Sequence, residues 1–440
     1  MIENSCMKKL FFIIFLNLFL IAKAIPVNLE FFKNFNDKHF ENYIQEALEN
    51  NHDLKQANYR VEQFRYEISN QFAKQLPELS TGSNYIGASV PTGDTNVLIK
   101  RNSYILLFKV SYEPDFWLKN RDKTLSKKKL YKANLANQKA IYISLLGDVS
   151  NTYVNILLFD YLIQKQKEIV LDKEQNRNFN KNKFNYGVIS FIDLNDIFSE
   201  LESQKVILEN LIKQQKTNLY NFALLLGRSA YDSENILRGK LEDFEYQKII
   251  PTCIKQDLIY SRPDLIEIEN QLKSAKIDVR IARKDFLPSF NVFGFLAFDT
   301  AGGGNFFNWN SSFAYLIAGL TQDIFKGGAK IANLKIKKAR YNELFEKYLQ
   351  ADLNAIKEIN NALNLIKQDT IAQKYSKNQV DYEFKNYLAS KRKLKTGTIS
   401  KIEYLQNKNS LNQKEQLLAY VRANRLNDYF TLYKALGGQL

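Results

Sequence analysis

The 440-residue chain is poor in the residues that cross-link or interrupt a fold, with two cysteines, two methionines and seven prolines. Cys6 lies in an N-terminal segment that we expect to be removed. Only Cys253 would then remain, which excludes an intramolecular disulfide. Stability must therefore come from packing and assembly. From Arg121 to about Tyr186 there is no proline, so one helix there would span roughly 100 Å.

Long hydrophobic runs are also scarce. Residues 1–24 are typical of a secretory signal peptide, with Lys8 and Lys9 before an apolar stretch and Ala22-Lys23-Ala24 as the cleavage site. The alternative is an N-terminal membrane anchor, but the apolar stretch is short for a bilayer. After residue 24 there is no run of 18 apolar residues. If the mature protein crosses a membrane, it must do so as a closed β-barrel.

Charge of one sign is in excess, at +15 for the full chain. The first 24 residues carry three lysines and one glutamate, so the mature chain keeps about +13. A basic balance can indicate binding to nucleic acid or to an anionic membrane surface. Here the charges are scattered lysines in polar, helical sequence rather than an arginine cluster among aromatics. We therefore interpret them as solvated faces and predict no nucleic-acid binding.

The chain repeats itself with a nearly constant offset, which indicates tandem duplication of a unit of about 210 residues. We predict a first repeat over 25–230, an inter-repeat linker over 231–260 and a second repeat over 261–440. Five markers recur in the same order, at offsets of 208 to 211: Asp53-Leu54 with Asp264-Leu265, Leu76-Pro77 with Leu287-Pro288, Asp115-Phe116-Trp117 with Asp323-Ile324-Phe325, Gly187-Val188-Ile189-Ser190 with Gly397-Thr398-Ile399-Ser400, and Leu226-Gly227 with Leu436-Gly437.

Each repeat contains a stretch with strand periodicity, at about 79–112 and 289–322. Apolar residues from Tyr104 to Tyr112 alternate with Lys109 and Ser111, a period of two that predicts β-hairpins. Each run has about the length of a tilted strand that crosses a bilayer. A soluble pair of hairpins would alternate equally well. Seven aromatic residues lie where interfacial girdles are expected: Tyr85, Tyr104, Tyr112, Trp117, Trp309, Phe313 and Tyr315.

Two long helix pairs, at about 118–227 and 328–437, follow the hairpins. Leu353, Ile356, Ile359, Leu363 and Ile366 step by three or four, which predicts a narrow apolar stripe. Narrow stripes on long helices are typical of coiled-coil packing. Four strands cannot close a barrel with a usable lumen, so the chain is predicted to oligomerise.

These features resemble the TolC-like outer-membrane efflux proteins over nearly the whole mature chain. Residues 111–117 are similar to the end of the family's second strand, and residues 319–328 to the counterpart in its second half, where proline often replaces Asp323. Residues 433–438 resemble the ending of channels that serve resistance-nodulation-division pumps, although Gln439-Leu440 departs from it.

The resemblance implies an α+β membrane protein that is a homotrimer in the outer membrane of a Gram-negative bacterium. Each protomer would contribute four strands to a 12-stranded β-barrel, continued by a periplasmic α-helical barrel. It would form the exit channel of a tripartite efflux pump, with a periplasmic adaptor and an inner-membrane transporter as partners. A channel for type I polypeptide secretion is the alternative within the family. A secreted coiled-coil structural or adhesive protein is the alternative outside it.

The two glycine markers lie between long helices, where a tight turn requires positive φ. A turn alone is the simpler interpretation. The resemblance implies that both turns form the tip that meets the adaptor. Ser190 and Ser400 are also predicted to cap the following helices. The residues implied at the tip are Gly187, Val188, Ile189, Ser190, Gly397, Thr398, Ile399 and Ser400.

Acidic residues follow both turns. Asp193 and Asp196 share a helix face, and they can equally be present because acidic side chains favour the helix dipole. The resemblance implies that such residues ring a closed periplasmic gate, multiplied threefold into a cation-attracting ring. Glu403 matches one of the family's positions, whereas Gln406 occupies the next one, where an acid is frequent. We therefore expect a weak ring.

No cofactor, resident metal or enzymatic activity is predicted. His39, His52 and Cys253 are the only histidine and cysteine ligands after residue 24, and their spacing fits no zinc or copper site. The sequence has no nucleophile elbow, catalytic triad or phosphate-binding glycine loop. Gly302-Gly303-Gly304 follows a predicted strand but opens no helix.

Overall fold

The computed structural model describes residues 27–92, 97–248, 256–300 and 307–439. The predicted signal peptide, Cys253 and Gly302-Gly303-Gly304 lie outside the described residues. Within them, eight α-helices and four strands follow in this order: α1 (Lys38–Asn50), α2 (His52–Ala73), β1 (Glu78–Thr92), β2 (Val97–Tyr112), α3 (Lys119–Asn185), α4 (Phe191–Leu225), α5 (Gln256–Tyr260), α6 (Pro263–Lys284), β3 (Ser289–Thr300), β4 (Ser312–Thr321), α7 (Ala329–Lys395) and α8 (Lys401–Ala435).

The chain divides into two compact units that do not follow the sequence repeats. Asn50–Ile141 and Thr252–Asn364 form one unit, here the sheet unit. Met1–Glu49, Tyr142–Pro251 and Leu365–Leu440 form the other, here the turn unit. Each unit takes segments from both repeats, and the boundaries between the units fall within the residue ranges of α3 and α7. The repeats are therefore units of sequence rather than of compact folding.

The sheet unit contains one antiparallel sheet in the order β1-β2-β3-β4. Glu78 of β1 is paired with Ser111 of β2 at one end of the first ladder. Tyr112 of β2 is paired with Val292 of β3 at the same end of the second ladder. Strands β3 and β4 are joined from Ser289↔Thr321 to Phe298↔Ser312. Strands β1 and β4 are thus the two edges. Strand β4 is exposed along almost its whole length, although it carries Phe313, Tyr315, Leu316 and Ile317 among its residues.

Ion pairs and small polar residues join the helices of the sheet unit. The carboxylate of Asp122 on α3 is buried and contacts Arg280 (2.5 Å) and Lys284 (2.7 Å) of α6. Burial by itself would raise the pKa of Asp122, but the hydrogen bonds from the two cations outweigh it and lower the pKa. The hydroxyls of Ser126 and Ser274 lie 2.8 Å apart, so the two helices approach closely.

An aromatic cluster forms the core of the turn unit. The rings of Phe31 and Tyr433 stack with centroids 4.8 Å apart. Phe40 and Phe244 are in edge-to-face contact at 5.2 Å. The Tyr153 hydroxyl donates a hydrogen bond to Asp37 (2.6 Å). The inter-repeat segment therefore contributes to this core through Phe244.

No helix among the described residues has an apolar stretch long enough to cross a membrane.

A pair of carboxyl groups lies between α7 and α8 in the turn unit. Asp428 is only 8% exposed, and its Oδ2 atom has no hydrogen-bond partner. Burial, together with the neighbouring charge of Asp369, raises the pKa of Asp428 to about 7. Folding therefore raises the pKa of this carboxyl group above its ordinary value of 3.8. Its stabilising contribution is present at low pH and is lost as the pH rises through about 7.

We expect Asp428→Asn to stabilise the protein at pH 8 by on the order of 2 kcal/mol, because the amide carries no buried charge. The variant should also lose most of the decline in stability that the parent protein shows between pH 5 and pH 8. Unfolding midpoints of the purified protein at both pH values measure this. Asp381→Asn, at an exposed position of α7, is the control. An equally steep decline in Asp428→Asn would contradict the assignment.

Candidate functional site

Both helix-to-helix turns of the turn unit have the same backbone geometry. Gly187 has φ +71° and Gly397 has φ +69°. The amide of Val188 donates to the carbonyl of Lys183 and that of Thr398 to the carbonyl of Lys393, each at 2.9 Å. These contacts form Schellman motifs, which require a left-handed residue at the glycine position. A Cβ atom would have open space at either glycine, so backbone conformation rather than crowding requires glycine there.

A serine caps the helix after each turn, but the two caps differ. The Ser190 Oγ accepts a hydrogen bond from the amide of Asp193 (3.1 Å). The Asp193 carboxylate in turn accepts from the Ser190 amide (3.1 Å) and hydroxyl (2.7 Å), which completes a capping box. The Ser400 Oγ accepts from the amide of Glu403 (3.1 Å), and no returning bond is present among the described residues. The two turns thus share a backbone but hold their acids differently.

This difference separates the acidic residues of the predicted gate. Hydrogen bonds from the Ser190 hydroxyl and amide lower the pKa of Asp193, so its carboxylate serves the cap. The carboxylates of Asp196 and Glu403 are exposed and make no hydrogen bond or ion pair within the described part of the chain. Gln406 is exposed as well. Asp196 and Glu403 are therefore the acids left available for a permeating ion.

The surfaces of the two turns have opposite character. Around the first turn four large residues are exposed beside the polar Asn185, Ser190 and Asp193: Tyr186, Val188, Phe191 and Ile192. Around the second they are basic or hydroxylated: Lys391, Arg392, Lys393, Lys395, Thr396, Thr398 and Lys401. Ile189 and Ile399 are half-buried in their turns. The repeat thus conserves the backbone of the turn and changes the side chains that it presents.

The predicted girdle aromatics lie on the sheet or directly beside it. Tyr85 and Tyr104 are opposite each other on β1 and β2, with ring centroids 5.0 Å apart. On β4, Tyr315 packs against Phe295 (4.0 Å) and Phe313 is exposed. The remaining three are near strand ends: Tyr112 is half-buried, Trp309 contacts Phe298, and the Nε1 of Trp117 donates to the Pro288 carbonyl (2.7 Å).

No group of three or more potential ligands that could hold a metal ion is found among the described residues. His39 and His52 are exposed, on α1 and α2. The structure also contains one feature that the sequence did not point to, the Asp428 and Asp369 pair. Each residue is an ordinary surface acid in the sequence, and only the packing of α7 against α8 brings them together.

Comparison with known proteins gives matches over almost the whole chain. A model of the outer membrane efflux protein family matches residues 43–228 and 255–438. The probable outer membrane lipoprotein SilC of Salmonella typhimurium is 24% identical over 408 residues, covering 92% of this chain and 87% of that protein. The cation efflux system protein CusC of Escherichia coli K12 is 25% identical over 413 residues with the same coverage.

The fold is similar to that of the Campylobacter jejuni CmeC outer membrane channel, with a TM-score of 0.85 and 22% identity over 94% of this chain and 88% of that one. The family match confirms the resemblance predicted from the sequence. The structural likeness confirms the predicted fold class.

We expect Ser190→Ala to weaken the start of α4 by about 1 kcal/mol, because it removes both hydrogen bonds of the Ser190 hydroxyl and leaves only the backbone half of the capping box. Amide hydrogen exchange at residues 191–194 should accelerate by roughly fivefold. Ser400→Ala should have a smaller effect on α8, since that cap has a single side-chain bond. Ser199→Ala, at an exposed site inside α4, is the control. Unchanged exchange in Ser190→Ala would show that the capping box does not hold the turn.

Proposed function

The chain belongs to the outer membrane efflux protein family, and from that premise we propose that it forms the exit channel of a tripartite pump of the resistance-nodulation-division class. It is an efflux channel of the outer membrane and not an enzyme, as the sequence predicted. We propose further that it acts as a homotrimer in a Gram-negative bacterium. An inner-membrane transporter and a periplasmic adaptor would deliver small molecules or ions to it.

The proposal of a trimer rests on the two open edges of the sheet. Among the strands that the structure describes, β1 and β4 have a neighbour on one side only, and β4 exposes Phe313, Leu316, Ile317 and Leu320. Exposed, apolar edge strands pair with other chains unless they are covered. Four strands are too few to enclose a lumen, whereas three copies supply twelve. Edge pairing between copies would therefore satisfy the strands and create the pore together.

The helices of the sheet unit support the same assembly. On α7, four exposed apolar side chains follow each other at steps of four, four and three residues: Phe345, Leu349, Leu353 and Ile356. This spacing places them on one face of the helix. An uncovered stripe of this kind is typical of a helix that packs against a neighbouring helix. We assign that neighbour to a second copy of the chain.

The seven aromatic residues on and beside the sheet support its placement in a membrane. Tyrosine and tryptophan favour the interface between lipid and water, because their rings are amphipathic. Tyr85, Phe313 and Tyr315 are exposed on the isolated chain. In the proposed trimer, the sheet would lie in the outer membrane and the long helices would extend into the periplasm.

The two turns would form the periplasmic tip. The exposed apolar residues at the first turn include Val188 and Ile192. They are suited to contact with apolar side chains of a partner. The basic second turn is suited to a partner's acidic or polar groups. We propose that both turns contact the adaptor, with the first supplying most of the desolvated area and the second orienting the partner.

The proposed gate lies just beyond the turns. Asp196 and Glu403 carry exposed carboxylates without partners in the described structure, and threefold symmetry would convert each into a ring that attracts cations. Gln406 contributes no charge, and Asp193 is held in its cap. The ring should therefore be weaker than one built from four acids.

We expect Glu403→Ala to lower the cation selectivity of single channels in planar bilayers, because it removes three charges from the pore. The shift in reversal potential under a salt gradient measures this. Glu209→Gln, an exposed acid elsewhere on the helix after the first turn, should leave selectivity unchanged. Unaltered selectivity in Glu403→Ala channels would remove this residue from the gate.

We expect Val188→Asp to abolish most transport without affecting assembly, because an uncompensated charge would be desolvated against the adaptor. The test is restoration of resistance in a host strain that lacks the chromosomal copy, across a panel of toxic compounds and metal ions. Tyr231→Asp, at a 95% exposed site of the turn unit away from the turns, is the matched control and should restore resistance. Full restoration by Val188→Asp would exclude Val188 from the adaptor contact.

A further inference from the structure

The duplication places equivalent segments after the second strand of each repeat. Asp115-Phe116-Trp117 follows β2, and Asp323-Ile324-Phe325 follows β4 at an offset of 208. We call these the first and second junctions. Both lie in the sheet unit, and each leads into a 67-residue helix. Their surroundings nevertheless differ.

The first junction packs against the next strand of the same chain. The ring of Phe116 is in edge-to-face contact with Phe290 near the start of β3, with centroids 4.7 Å apart. Trp117 lies 6.3 Å from the same ring. The Nε1 of Trp117 donates to the Pro288 carbonyl (2.7 Å). The segment 288–290 is thus a receptor for the two aromatic residues that follow β2.

The second junction has no such receptor within the described part of its own chain. Ile324 is 97% exposed and Phe325 is 86% exposed, although both are large and apolar. Neighbouring Asp323 forms ion pairs with Lys326 (2.8 Å) and Lys330 (3.2 Å), so the segment is ordered locally by charge. Two adjacent apolar side chains fully in water at an ordered site indicate a contact with something else.

The repeat identifies the missing receptor. Leu287-Pro288 corresponds to Leu76-Pro77 at an offset of 211, so Phe290 corresponds to Leu79. Leu79 is near the start of β1 and is 81% exposed. The first junction is therefore packed against the start of β3 in the same chain. The second junction and the start of β1 are the corresponding segments, and both are exposed in the single chain.

We propose that Ile324 and Phe325 of one copy pack on Pro77 and Leu79 of a second copy. The contact reproduces between chains what Phe116 and Trp117 do with Pro288 and Phe290 within one chain. Ile324 takes the place of Phe116 against the residue at position 79, and Phe325 takes that of Trp117 beside the proline. Phenylalanine has no N–H group, so this contact lacks the hydrogen bond of the first junction and depends on apolar burial.

The contact cannot form within one chain. Strands β1 and β4 are opposite edges of a four-stranded sheet, and three strand spacings separate them by roughly 14 Å. A second copy that adds its β1 beside β4 brings its own Leu79 to the second junction. Each copy then donates one junction and receives another, a head-to-tail contact that closes into a ring. This inference rests on the proposed homotrimer and names residues that join its protomers.

The test is a cysteine pair in the full chain, with Cys6 and Cys253 replaced by serine. Leu79→Cys with Phe325→Cys should give covalent trimers on denaturing gels after mild oxidation or a short bismaleimide. A disulfide requires Cα atoms within about 7 Å, which excludes a disulfide inside one chain, and a bismaleimide link inside one chain would leave a monomer on the gel. Trp117→Cys with Phe290→Cys is the matched control and should give only monomers with an internal link. Neither Leu79→Cys nor Phe325→Cys alone should give trimers.

Cross-linked dimers without trimers would indicate a two-fold contact and would overturn the proposal. So would the absence of covalent trimers from both the Leu79/Phe325 and Leu79/Ile324 cysteine pairs in protein that is trimeric by native mass spectrometry. In that case the junction faces lipid, and the proposed channel still stands. If native mass spectrometry shows no trimer at all, the proposed function itself fails.

A second measurement does not depend on cross-linking. Phe325→Ala should lower the temperature at which trimers dissociate in detergent, whereas Tyr231→Ala, at a similarly exposed site, should not. Equal dissociation temperatures for Phe325→Ala and the parent would contradict a contact at this junction. Retained secondary structure in the variant shows that the change concerns assembly rather than folding.

Discussion

The outer strands of the sheet, β1 and β4, each leave one side unpaired within the described chain, and this open pairing limits how the other parts of the molecule can be arranged. A β-strand stabilises its neighbours through backbone hydrogen bonds. An open apolar edge strand therefore favours pairing with a strand of another chain. In this molecule the two edges, β1 and β4, are separated by two strands that each have a neighbour on both sides. We propose that the chain completes this sheet with copies of itself, and a closed pore for efflux would follow from that assembly.

Duplication is the simplest way to meet the requirement, because each half then supplies one hairpin and one pair of long helices. The turn glycines show how the copied parts have kept their geometry, since Gly187 and Gly397 have nearly the same positive φ. The side chains around them have diverged to an apolar surface at one turn and a basic surface at the other. A trimer of such chains would present six turns of two alternating kinds. A partner that docks on them would meet six turns with nearly the same backbone geometry. The side chains of these turns would repeat only three times around the ring.

Much of the fold could be predicted from the sequence because its signals are local. Leu76-Pro77 and Leu287-Pro288 mark where helices give way to strands, the period of two marks β2, and glycine marks the turns between long helices. The distinction between Asp193 and Glu403 could not be predicted, because both follow a serine by three residues and only side-chain geometry shows which carboxylate returns to the cap. The Asp369 and Asp428 pair was equally inaccessible, since it depends on how two helices pack.

The two junctions show why a repeat in sequence need not be a repeat in environment. Phe116 and Ile324 occupy the same place in their repeats, yet one packs on an aromatic ring and the other is almost fully exposed. The reason is topological. The strand that follows β2 in the sheet belongs to the same chain, whereas no strand of the described residues lies beyond β4. Exposure of Ile324 and Phe325 in the single chain is therefore what a duplicated, ring-closing sheet predicts. In the proposed assembly, cover by another copy of β1 gives the apolar character of both residues its physical basis.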